Sequence, residues 1–80
     1  MKHKSLQRAL SKIGSVEKTH ELYSGQTHWR IQIKDKVVKW HELSGEVIFL
    51  PLCIYERDEK CIDYGYEPKT IKACVDWLTS

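Results

Sequence analysis

Eighty residues, 41% of them hydrophobic and 30% charged, suffice for one domain around one core and leave nothing for a second. That balance excludes intrinsic disorder, and a net charge of +2 excludes an acidic nucleic-acid mimic as well as a protein held on DNA chiefly by a strongly basic surface. The stretch MKHKSLQRALSK carries charge throughout, so it reads as neither signal peptide nor membrane span, while Cys53, Cys61 and Cys74, odd in number and without a C-x-x-C pair, point to reduced thiols and a cytoplasmic domain.

Leu6, Ala9, Leu10 and Ile13 recur at helical spacing, which predicts a helix over 5–14 with Ser5 as N-cap and Gly14 in the left-handed position that ends it. Residues 16–23, VEKTHELY, alternate without a cleanly apolar set and read as an edge strand running into a Ser24-Gly25 turn. HWRIQIK, residues 28–34, sets Trp29, Ile31 and Ile33 against His28, Arg30, Gln32 and Lys34, the pattern of a half-buried antiparallel strand. Asp35-Lys36 serves as a two-residue hairpin loop, and VVKWHEL, residues 37–43, follows with Val38 and Trp40 on one face and Val37, Lys39, His41 and Leu43 on the other.

Ser44-Gly45 turns the chain into EVIFLPLCIY, residues 46–55, which as one continuous strand is apolar on both faces. Ile48, Leu50, Leu52 and Ile54 would face the core, and Val47, Phe49, Cys53 and Tyr55 the outside. Pro51 donates no ladder hydrogen bond, which places this run at a sheet edge. A charged loop, ERDEK, leads to a short extended piece over 61–66; Pro68 suits the first turn of a last helix, along which Ile71, Cys74, Val75 and Leu78 repeat the helical spacing. The expected fold is α+β in two layers: an antiparallel β-meander of three to four strands packed against an N-terminal and a C-terminal helix, one domain over residues 1–80.

Neither metal nor catalysis is expected. The tripeptides His20-Glu21-Leu22 and His41-Glu42-Leu43 lack a second histidine four positions on, and the cysteines stand 8 and 13 residues apart. There is no nucleophile elbow, glycine-rich phosphate cradle or carboxylate pair, so the chain reads as non-enzymatic, with no cofactor. Two surfaces remain. Val47, Phe49, Cys53 and Tyr55 would make an apolar patch rimmed by charge, suited to a host protein or a second copy of the chain. The alternative is single-stranded nucleic acid on the open sheet face, with His28, Arg30, Lys34, Lys39 and His41 beside aromatic side chains.

The segments KVVKWHELSGEVIFLPLCIYERD, IDYGYEP and KTIKACVDWL give a hairpin around a Trp-bearing strand, a Gly-Glu turn, an apolar strand, a charged loop and a helix. In this the chain resembles small accessory proteins of bacteriophages and prophages. The resemblance implies a binder, an inhibitor or adaptor of a host protein, and implies no particular target or functional residues.

Overall fold

Leu6 and Leu10, one helical turn apart, are wholly buried and anchor α1 (His3–Ser11) on the sheet. In the computed structural model the chain is described over residues 1–47, 53–56, 60–63 and 70–80, with 53–56 and 60–63 defined by backbone path and pairing. The strands among these residues are β1 (Val16–Glu21), β2 (Thr27–Ile33), β3 (Lys36–Leu43), β4 (Glu46–Val47), β5 (Cys53–Glu56) and β6 (Lys60–Asp63), followed by α2 (Ile71–Thr79). They form one antiparallel sheet in the order β1-β2-β3-β5-β6, with β4 also paired to β3. Both helices lie on one face, where Leu6, Leu10, Cys74 and Leu78 meet Ile31, Val38 and Trp40 in the core. The α+β, two-layer expectation holds. Among the described residues no helix is long and apolar enough to cross a membrane.

The N-cap of the first helix stands three residues earlier than its sequence predicts. Lys2, with no side-chain cap, is the N-cap, and Ser5 lies inside the helix. The reason is a strand-like contact: Val47 donates its amide to Met1 O at 2.9 Å, Lys2 bridges to Glu46, and the His3 amide donates to Gly45 O at 2.8 Å. A first-turn N–H with no intrahelical partner is thereby satisfied from outside the helix. At the other end Gly14 is not left-handed; a Cβ there would stand 2.5 Å from Ile33 Cδ1, so glycine is needed for closeness rather than for φ.

The β2–β3 loop is Lys34-Asp35, one residue earlier than expected, closed by the pair Ile33 and Lys36, with Lys34 at φ 56°. This register sets Trp29 opposite Trp40 and Ile31 opposite Val38. It also puts Lys36 under the C-terminus of α2, where Nζ donates to Trp77 O at 2.8 Å, to Ser80 O at 3.1 Å and to Ser80 Oγ, and lies 5.2 Å from the centre of the Trp77 ring. Carbonyls that a helix end leaves unpaired gain a cationic donor. At the opposite end of α2, Thr70 Oγ1 accepts from the Ala73 amide at 3.1 Å. Pro68, expected in the first turn, lies outside the described residues.

The run 46–55 is not one strand. Glu42 pairs with Val47 and Lys39 with Cys53, so the register against β3 differs by three residues, an odd number, between β4 and β5. An odd difference reverses which side of the sheet odd-numbered residues occupy. Val47 is accordingly half-buried against the helix-side core, in correction of its expected outward position, while Cys53 and Tyr55 take register positions opposite Lys39 and Val37. The run is also not at the edge: β5 lies between β3 and β6. Ile48, Phe49, Leu50, Pro51 and Leu52 lie outside the described residues.

Trp40 is 1% exposed, and its indole N–H donates to His3 Nδ1 at 3.0 Å. Nδ1 therefore carries a lone pair, and the imidazole is neutral in the fold. Burial holds its pKa below the ordinary histidine value, against the weaker pull of Glu42 and of a hydrogen bond with Gln7. The unfolded chain then takes up a proton before the folded one does, so this contribution to stability is complete above the ordinary imidazole range and is lost as pH falls through it. Urea midpoints should fall between about pH 7.5 and about pH 5.5, and His3→Gln, which keeps an acceptor that does not titrate, should reduce that fall. Lys36→Met should lower stability by about 1 kcal/mol in the same assay, through removal of the cap on α2.

Candidate functional site

The face opposite the helices carries His28, Arg30 and Gln32 of β2 and Val37, Lys39 and His41 of β3, in the cross-strand pairs His28 with His41, Arg30 with Lys39 and Gln32 with Val37. Val37 is 2% exposed yet stands apart from the helix-side core, so that end of the face is closed over. The other end is open. There Thr19, His20, His28, Trp29, Arg30, Lys39, Trp40 and His41 line a cleft of about 220 Å³.

A β-bulge builds one wall of that cleft. Lys18 pairs with Trp29, but His20, two residues on, pairs with His28, leaving Thr19 extra on β1. Simple alternation would send His20 to the helix side with Val16 and Lys18; past the bulge it stands on the open side. Thr19 fixes the distortion by donating its hydroxyl to His28 O at 3.2 Å, and His20 Nδ1 lies 3.2 Å from the same hydroxyl.

Three imidazoles thus form a row across three strands. His28 and His41 are stacked, with centroids 3.7 Å apart and planes 5° from parallel, and His20 meets His28 edge-on at 5.5 Å. His28 Nε2 bonds Gln26 Oε1 at 2.9 Å. Burial, and then the neighbouring His28, hold the His41 pKa below the ordinary value. Among the described residues His41 Nδ1 is buried and has no hydrogen-bond partner, which carries a desolvation cost. Arg30 Nη1 lies 3.8 Å from the Glu17 carboxylate, and Nη2 donates to Gln32 Oε1 at 2.7 Å.

Of the residues expected on this face, His28, Arg30, Lys39 and His41 come together at the cleft. Lys34 sits in the β2–β3 turn, outside the cleft lining. His20 is an addition that sequence reasoning missed; the signal for it is the chain's poorest alternation, in β1, where a bulge resets the period. Of the apolar patch, Val47 has turned inward, Phe49 lies outside the described residues, and Cys53 and Tyr55 are placed by register alone. The remaining thiol with a described environment, Cys74, is buried in the core, and burial pushes its pKa up to about 11, far from a nucleophile's. Among the described residues no three of His, Cys, Asp and Glu are grouped to hold a metal ion.

An orphaned buried nitrogen should be dispensable to folding. His41→Leu is expected to raise stability by about 1 kcal/mol near neutral pH, read from denaturant midpoints. A fall in stability would mean that the ring is held for packing.

No protein-family model matches the chain, and neither a curated protein nor a solved structure matches it. What this protein does is therefore read from the chemistry of the open face.

Proposed function

We propose that this chain is a non-catalytic binding module that takes single-stranded nucleic acid on the open face of its sheet. The observation that supports it is the cleft lining: Arg30, Lys39 and three histidines converge there, with the Glu17 carboxylate 3.8 Å from Arg30 Nη1. Backbone phosphates would be drawn towards Arg30 and Lys39, and a flat base would stack on the face of the exposed His20 ring. Recognition of this kind tolerates sequence, because every base has a stacking face.

A protein partner, whether a host protein or a second copy, is the second reading. It is favoured by Leu22, Tyr23 and Leu43, exposed at the same end of the sheet, where Leu43 Cδ1 lies 3.7 Å from the position of a Cβ on Gly25. An accessory role of the bacteriophage kind fits either reading.

Fluorescence anisotropy with a mixed-sequence oligonucleotide decides between them. Binding should weaken steeply with salt, and Arg30→Ala with Lys39→Ala should reduce the log–log salt slope by about one for each phosphate no longer neutralised. If no salt-dependent binding occurs, the nucleic-acid reading is wrong. A solution mass above that of the 9.4 kDa monomer, abolished by Leu43→Glu with Tyr23→Glu, would move the assignment to self-association.

A further inference from the structure

The outer side of α1 is charged in a way that its folding does not require. Residues 1–12 hold four of the thirteen Lys and Arg of the chain and none of its eleven Asp and Glu, so the small net charge of the whole conceals a basic first helix on a net acidic remainder. Lys2 is joined to Glu46. The other three, Lys4, Arg8 and Lys12, follow at intervals of four along α1 and into its C-cap, about 6 Å apart along the helix axis, and all are exposed. Like charges at this spacing repel. Lys4 also stands in the first turn, where the helix dipole disfavours a cation, whereas Arg8 and Lys12 lie at the end it favours. The second helix on the same face of the sheet is charged differently: Lys72 of α2 meets Asp76, four residues on, at 2.7 Å. A marginal nine-residue helix thus carries a row of like charges where its neighbour carries an ion pair.

We propose that the outer side of α1 is a second contact surface for the phosphates of a single-stranded nucleic acid, on the reverse of the sheet from the cleft. The exposed residues of α1 and its C-cap are Lys4, Ser5, Arg8, Ser11 and Lys12: three cations and two hydroxyls, all donors to phosphate oxygens. Leu6 and Leu10, the apolar stripe of the helix, are enclosed in the core. The helix therefore has no apolar side to sink into a lipid surface, and it offers a protein partner no apolar centre. A regular row of cations on a rigid rod suits a regular row of phosphates. A strand held in the cleft and continuing past the sheet lies along α1 on the other side. This surface rests on the nucleic-acid reading given above.

The experiment is an anisotropy titration of the whole chain, at several salt concentrations, with labelled single-stranded oligonucleotides of about five and about fifteen nucleotides. The longer one, which alone reaches α1 from the cleft, should show the steeper log–log salt slope. Lys4→Gln with Arg8→Gln should lower that slope by about 1.4, at about 0.7 for each single-strand phosphate no longer neutralised, and leave the shorter oligonucleotide unaffected. Lys18→Gln with Lys72→Gln removes the same charge from ion pairs elsewhere on the surface and should change neither slope. The α1 variant should also melt no lower than wild type, because it relieves like-charge repulsion; a lower melting temperature would mean that the row is kept for folding, and overturns the surface. Equal slopes for the two lengths, equal losses in the two variants, or an α1 variant that binds like wild type overturn it too, and leave the cleft reading standing. Absence of binding to either oligonucleotide overturns both. Binding to vesicles of anionic phospholipid, with none to the longer oligonucleotide, overturns the assignment in favour of a membrane surface.

Discussion

The indole N–H of Trp40 has to find an acceptor in the middle of the core, and the way it does so organises the molecule. Leaving such a donor unpaired costs about 1–3 kcal/mol, a large share of what an 80-residue domain has to spare. His3 Nδ1 supplies the acceptor, and the same imidazole packs 4.5 Å, centre to centre, from the Trp29 ring. Holding His3 there draws residues 1–3 alongside β4 and starts α1 where it starts. The helix side of the sheet is then fully engaged, with α1 and α2 packed over Ile31, Val38 and Trp40.

Among the described residues that side holds nearly all the buried apolar side chains, Val37 excepted, and the other carries features that folding alone would select against. Among the described residues an imidazole nitrogen is buried without a partner, two imidazole rings are stacked on one another, and a bulge interrupts an edge strand to bring a third ring beside them. Proteins depart from local rules mainly where function repays the cost. The contrast between the two faces of β2 and β3 is the physical ground for proposing the open face as the binding surface.

Periodicity reveals much of this fold and little of its register. The stripe of Leu6 and Leu10, the stripe of Cys74 and Leu78, and the alternation of Trp29, Ile31 and Ile33 are legible because burial needs one face only, and a face is a period. Alternation does not distinguish registers two residues apart, since both keep the same side chains inward. The register that pairs Trp29 with Trp40 also brings Lys36 to α2, a contact 41 residues away in sequence that no periodicity reveals. Two irregularities escape a reading by period alone: the bulge at Thr19, which shows in the sequence only as poor alternation, and the register change between β4 and β5 each reverse a face without altering composition. The first brings His20 to the cleft, and the second takes Val47 from the surface.

The bond from Trp40 to His3 closes a separation of 37 residues, and the His3 amide waits on a carbonyl at Gly45. A helix of nine residues is marginal by itself, so α1 cannot consolidate when it is first made; it becomes stable after the β2–β3 and β3–β4 hairpins exist to receive it. Folding should therefore begin in the middle of the chain and recruit its N-terminal segment late. During synthesis the first helix would leave the ribosome with Leu6 and Leu10 uncovered, and would remain so until about forty further residues had followed.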